Sequence, residues 1–489
     1  MMRCALLIIT VLVSSSLLAA GHDLTSAPPD VDQTLPVLMG NGSGFLAAWS
    51  ERPTLLRNLV VSQVVNTAGQ PVGPGVAVTH LSVYSLAMAH GPSDSLLVIA
   101  DGNVSAERLS PSGFPMNTIL LHPGDYPPGV AVAWNGSRYF VVWALGPHLI
   151  GAFVAPDGSS TTPKPFLTLP TYEDDISAPD VAWDGQHFIV VFTELPFCYF
   201  DCVAVDPDGF GVLRVSSDGN AIEPPTYVNG RYAQAHVASS GADSLIILDR
   251  VGDVWKENAG LHTSGAVSAI AMHDDGGVKL DAERQVFQWR SDMSSAVAWN
   301  GLTYTVAWRY IEGGLYGTTG PSWMGAAQVT QSGVPFDYRF TATGDRIPIG
   351  VRWGRPSIAV NDAGLAAFAI SEATVQSPIM RARLYFASEL APIPPPPAAP
   401  TNVVASPFDG RIARIDWQSE TAASFVVEYS RDFGKNWSFY TTVSGDSRTI
   451  NVAAAPGNQF RVRAVGPGGT SEGTVTTIVS LTRRRAARP

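Results

Sequence analysis

The chain has 489 residues, 45% apolar and only 15% charged, with 46 glycines, 37 prolines and a formal net charge of −11. That length exceeds one ordinary hydrophobic core, and the turn-rich, weakly charged composition excludes a disordered chain or a coiled coil. The excess of acid argues against a nucleic-acid partner.

Arg3, the apolar run Ala5–Leu18 and the small pair Ala19-Ala20 read as a secretory signal over residues 1–20. The run is too short to span a membrane as a mature helix, and no later stretch is apolar enough, so no integral membrane segment is expected. The expected location is secreted, periplasmic or cell-surface. Export leaves two cysteines, Cys198 and Cys202, and an oxidising compartment favours a disulfide between them. Straight strand would hold their Cα atoms about 13 Å apart, beyond the roughly 7 Å that a disulfide tolerates. They are therefore expected across a tight turn, stabilising the fold by at most about 2 kcal/mol.

Past the signal, VAWNGSRYFVVW (Val132–Trp143) has near-copies at Val181–Phe192 and Val297–Trp308. Each reads as two short strands around a turn, with Asn135-Gly136 supplying the φ > 0 residues and Tyr139–Trp143 a strand buried on both faces. One such hairpin cannot bury both faces without copies beside it. Weaker copies occur at Gly40–Glu51, Tyr84–Ala100, Ala235–Asp249 and Ser357–Phe368. Seven turns result, near residues 42, 93, 136, 185, 241, 301 and 364, at the spacing of four-stranded propeller blades. The seventh unit runs into proline after Met380–Phe386 with no fourth strand. Leu24-Thr25 stands 18 positions before Gly42, as Leu167-Thr168 stands 18 before Gly185. The expectation is an all-β, seven-bladed β-propeller over residues 21–390 whose N-terminal strand closes the last blade and removes the open sheet edges.

The repeat resembles a family of bacterial secreted propeller repeats of the form VAWNG-x-x-Y-x-VVW, over about Leu24–Phe386. The resemblance implies the fold and no particular chemistry. Loops between second and third strands share one face with the inter-blade links, and the long ones are expected after Glu194, Arg250 and Arg309. Variable loops on a rigid face are where binding tends to reside. They carry Tyr199, Phe200, Trp255, Tyr310, Tyr316 and Trp323, aromatic residues suited to stacking on sugars or anchoring a protein.

APIPPPPAAP is a linker over 391–400, its six prolines favouring an extended spacer of roughly 30 Å. A second β module follows over 399–482, with Trp417, Tyr429 and Phe460 as expected core aromatics, and a basic tail over 483–489. The module resembles a fibronectin type III domain on Trp417 and FRVRAVGPGG, with Phe460 where that family often has Tyr. SRDFGKNW (Ser430–Trp437) resembles a sialidase Asp box, but its place in this module makes it a hairpin turn. Residues 21–397 hold 19 Lys+Arg against 35 Asp+Glu, and residues 398–489 hold 11 against 7.

No zinc-hydrolase, Gly-x-Ser-x-Gly or phosphate-loop pattern is present. His187 reads as an ordinary strand residue. The acids Glu51, Asp101, Glu194, Asp249 and Glu372 recur after the second strand, which suits capping better than a glycosidase pair. Asp174-Asp175, Asp206/Asp208 and Asp274-Asp275 match no complete calcium loop. No catalytic residue, metal or cofactor is assigned. The sequence reads as a monomeric binding protein that recognises a glycan or a protein. The rival readings are a propeller glycoside hydrolase or lyase and a structural envelope component.

Overall fold

The computed structural model describes residues 22–24 and 31–476, less 55–56, 81–82, 171–173, 178, 197–208, 258–259, 275, 290–292, 312–321, 343–355, 375–376, 388–394, 396, 410–411, 420–421, 423, 432, 454, 456 and 467–468. Every regular element among the described residues is a β-strand. The chain divides into two compact units, Met1–Leu390 and Ala391–Pro489.

Among the described residues the first unit holds seven antiparallel sheets; six are laid down in chain order from the innermost strand outward, and the last takes its outermost strand from the N-terminal segment. Sheets one to three begin at Asp32–Asn41, Ser85–His90 and Val130–Trp134, and sheets five to seven at Tyr232–Ser239, Met293–Trp299 and Ser357–Val360. In sheet four the innermost strand is broken into Asp174–Ile176 and Asp180–Trp183, both paired with Phe188–Pro196. Each innermost strand packs on the next, and that of sheet seven packs on that of sheet one. The result is a closed, propeller-like ring.

Burial in the third sheet explains why the repeat exists. Tyr139, Val141 and Trp143 face a core shared with sheet two. Phe140, Val142 and Ala144 face one shared with sheet four. Alternate side chains of one strand thus enter two different interfaces, which is why the run is apolar throughout. The repeated tyrosine adds a polar lock. Tyr139 Oη donates to the Asp94 carbonyl and carboxylate, each at 2.9 Å, across to the hairpin turn of sheet two. Asp94 is 1% exposed and also accepts Arg108 Nε at 2.7 Å. Burial, reinforced by the Asp94 carboxylate, pushes the Tyr139 hydroxyl pKa up. Tyr304 repeats the lock on the Asp243 carbonyl at 2.7 Å.

The turn differs from its expected form. Only Gly136 adopts positive φ, at 92°; Asn135 instead uses its side chain, Oδ1 accepting from Ser137 N at 3.0 Å and Arg138 N at 2.9 Å. Asn300 does the same for Leu302 N and Thr303 N. The four-residue loop is built by an Asx contact and one left-handed glycine.

At the seam, His22 pairs with Leu384 and Asp23 with Arg383, and Leu24 N donates to the Ala382 carbonyl at 3.0 Å. Leu24 is fully buried in a cluster with Leu38, Phe45, Trp49, Leu384 and Phe386. The N-terminal segment is therefore the outermost strand of the sheet formed by the last repeat.

In the second unit, Thr401–Asp409, Ile412–Gln418 and Thr449–Ala453 form one sheet. Ser424–Ser430, Ser438–Ser444 and Gln459–Gly466 form the other with two short strands. Trp417, Phe425, Val427, Phe460 and Val462 fill the core, with Tyr429 partly buried against it. SRDFGKNW connects two paired strands, its Gly434 at φ 80° and donating to Ser430 Oγ at 2.8 Å.

Leu24→Ala removes a fully buried side chain at the seam and should cost about 3 kcal/mol, read as a lower urea midpoint. Tyr139→Phe should cost about 1 kcal/mol in the same measurement, since Arg108 still satisfies Asp94.

Candidate functional site

The seven innermost strands enclose a central cavity of about 210 Å³. Counting four residues back from each turn residue (Asn41, Gly91, Asn135, Asp184, Ser240, Asn300, Asn361) gives one lining position per sheet. These are Val37, Ala87, Ala131, Asp180, His236, Ala296 and Ser357. Five are small or apolar; the two titratable groups fall on adjacent sheets. They lie between mid-strand and the start of the innermost strands, and the end of the ring where those strands begin also carries the inter-sheet links and the connections between second and third strands.

Asp180 Oδ2 is 3.4 Å from His236 Nδ1, and Asp249 Oδ2 is 3.8 Å from His236 Nε2. The imidazole is 3% exposed and stands between two carboxylates. Each acid also ties neighbouring sheets together. Asp180 Oδ2 accepts Val237 N at 3.3 Å, the equivalent of Leu38 N donating to Ser357 Oγ at 2.9 Å across the seam. Asp249 accepts the Ser295 amide at 3.1 Å and its hydroxyl. The group is therefore a blade clip that also leaves Asp180, with a side chain 26% exposed, at the cavity wall. It can offer a negative edge to a polar or cationic group.

Of the acids that recur after the second strand, Glu51 and Asp101 are engaged locally and Asp249 across to the next sheet. Glu51 Oε1 accepts Gln33 Nε2 and Trp49 Nε1, both at 2.9 Å. Asp101 Oδ1 accepts Asn103 N at 3.2 Å. Glu194 and Glu372 lie on strands opposite Gly209 and Arg381.

His187 lies in the hairpin turn immediately before the strand Phe188–Pro196, and not on a strand as its sequence context suggested. Its Nδ1 is 2.7 Å from Asp274 Oδ2 and 3.9 Å from Asp184 Oδ2, a set able to ligate a metal. Asp274 is simultaneously paired with Arg214, which also grips Glu223. At the same repeat position in sheet three, Arg138 reaches Asp218 of the next sheet at 3.3 Å. His187 thus makes the intersheet link that Arg138 makes one repeat earlier, and the cation already present competes with a metal.

Three of the expected binding aromatics lie on strands. Trp255 sits on a strand: Asp243–Glu257 and Gly260–Asp274 form one long hairpin in which Trp255 pairs with His262. Tyr310 and Trp323 are also on strands, as direct partners. The loops expected there are shorter because the hairpins extend further. Tyr199, Phe200, Tyr316 and the pair Cys198 and Cys202 lie outside the described residues, as do residues 1–20, Asp206, Asp208 and Asp275. Sequence reasoning passed over Asp180 and His236; aligning the repeats by their turns would have placed both at one lining position. It also passed over Tyr84 and Tyr126, which are 49% and 67% exposed at this same end of the ring.

On the opposite end, His273 Nδ1 is 2.7 Å from Asp243 Oδ1 and its Nε2 is 3.6 Å from Asp281 Oδ2. The hydrogen bond to Asp243, with the charge of Asp281, raises the His273 pKa above its ordinary value. Its stabilising contribution is complete below the unfolded value of about 6.5 and is lost as pH rises through the higher folded value. His273→Gln should flatten that part of the stability curve, read from urea midpoints between about pH 5.5 and 8.5.

No helix among the described residues is long and apolar enough to cross a membrane. No protein-family model matches the chain, and none of the curated proteins does. Among solved structures the chain is similar to the β-propeller domain of Cps50 (Swd1) from Myceliophteria thermophila, at 9% identity and a TM-score of 0.47 over 76% of this chain and 99% of that one. It is also similar to the WD40 repeats of RRP9, at 11% identity and a TM-score of 0.42 over 76% and 98%.

Proposed function

We propose that this is an exported binding protein, a seven-bladed β-propeller that receives a glycan or protein on the end of the ring where the innermost strands begin, with Asp180 and His236 in the wall of the central cavity. The signal-like N-terminal sequence supports export to the periplasm, the cell surface or the medium, and the binding protein is taken to act as a monomer. The C-terminal module acts as spacer or second contact. Its strand order, three strands in one sheet and the remainder in the other, is the arrangement expected of a fibronectin type III fold.

The observation that carries this reading is the placement of charge. Asp180 and His236 polarise one side of an otherwise small-residue wall, and the blade-end acids Glu51, Asp101 and Asp249 are held as hydrogen-bond acceptors. A glycosidase needs two carboxylates open to substrate at a set separation, so these commitments favour recognition over hydrolysis. The aromatic positions Tyr199, Phe200, Trp255, Tyr310, Tyr316 and Trp323 belong to the same proposed face.

The test uses residues 21–489 with a photo-crosslinker placed beside Asp180 or, as control, at Gly276 on the opposite end, together with a glycan array. Ligand capture confined to the Asp180 end, and weakened by Asp180→Ser and Trp323→Ala, is the expected result. Capture at the opposite end instead, or hydrolysis of array glycans, would overturn the reading.

A further inference from the structure

At the end of the ring where the innermost strands begin, the link from sheet two to sheet three reads LHPGDYPPGV (Leu121–Val130). Three consecutive residues there are left-handed: Gly124 at φ 81°, Asp125 at 74° and Tyr126 at 45°. Two of the three carry side chains, and strain of this kind persists only where the surroundings impose it. They do so here. Gly124 N donates to Asn103 Oδ1 at 3.0 Å. Asn103 is held in turn by Asp101, and His122 Nε2 meets Asp125 Oδ2 at 3.2 Å. The Tyr126 ring lies over Gly102, where a Cβ would come within 3.1 Å of it.

This bracing serves an exposed group. Tyr126 meets Tyr84 with ring centroids 5.8 Å apart and planes at 76°, and Tyr84 N is anchored to the Ala100 carbonyl at 2.8 Å. A fold that only needed to connect two strands would not hold two large rings in water, one of them on a left-handed backbone. The Asp125 side chain, 60% exposed, stands beside them.

We propose that Tyr84, Tyr126 and Asp125 form a subsite for a neutral pyranose. One ring is the platform for the apolar C–H face of the sugar, the other closes its edge, and Asp125 accepts hydrogen bonds from the sugar hydroxyls. Rigid tyrosines supply contact area at small entropic cost. Residues 21–397 carry 35 acidic against 19 basic side chains, which disfavours uronate or other anionic glycans. The subsite rests on the proposed role of this end of the ring in binding.

The experiment is saturation-transfer NMR and calorimetry on residues 21–489 with cello-, chito- and malto-oligosaccharides, and with oligogalacturonate as the anionic control. Binding of a neutral oligosaccharide is expected, weakened about tenfold or more by Tyr126→Ala and by Tyr84→Ala, and more modestly by Asp125→Asn. Tyr227→Ala, at an exposed tyrosine on the outer strand of sheet four, should leave it unchanged. Asp125→Gly relieves the left-handed residue, so it should raise the melting temperature while weakening binding. Sugar binding insensitive to Tyr84 and Tyr126 would overturn the subsite and leave the binding reading intact. Absence of all sugar binding would overturn it too, even with a protein captured at this end of the ring, and preference for oligogalacturonate would refute the neutral specificity.

Discussion

Every sheet edge must be paired or covered, and in a ring of sheets that requirement falls on one seam. The last repeat provides three strands, and the fourth comes from His22–Asp23 with Leu24 sealing the core behind it. Without this strand, the sheet of Ser377–Ala387 would present open N–H and C=O groups, a template for aggregation. Closure joins residues more than three hundred positions apart, and it also fixes the innermost strands of sheets one and seven as neighbours. The Leu38-to-Ser357 hydrogen bond across that junction is one result.

The same logic makes the interfaces between sheets more informative than the sheets themselves. Each pair of sheets is joined by an apolar layer, and the polar locks at its margins vary from one interface to the next. Tyr139 reaches Asp94, Tyr304 reaches Asp243, Arg138 reaches Asp218 and His187 reaches Asp274. The buried Asp94 carboxylate is acceptable here because Tyr139 and Arg108 both donate to it. Variation in these locks is also how one ring acquires distinct local chemistry. The serine clip at Ser357 becomes a charged one at Asp180, and His236 occupies the adjoining lining position.

Binding at one end of such a ring follows from a division of labour. The four-residue Asx turns at one end are short and repetitive, whereas the links at the other end differ in length and content. The link holding Asp125 and Tyr126 is the most constrained of those described, fixed by Asn103, His122 and Gly102. Rigidity of this kind lowers the entropic cost of recognition and leaves the ring's stability to the buried strands.

How much of this was legible in the sequence depends on distance along the chain. The repeated hairpin, its turn glycines and the doubly buried second strand are local patterns, so Tyr139–Trp143 could be read directly. The closing strand was legible because Leu24 stands at the same offset from its turn as Leu167. Even the local reading erred where a side chain did the work of a backbone angle, as at Asn135. It also erred where a strand continued past its expected end, so that Trp255 lies on a hairpin arm and not in a loop. The functional groupings lay out of reach: Asp180 with His236, His187 with Asp274, and Tyr84 with Tyr126 are pairs from different repeats. Periodicity dictates that the sheets stack. Only the tertiary structure decides which side chains meet across an interface, because those contacts depend on the register of neighbouring sheets, on which the composition of either repeat has no bearing.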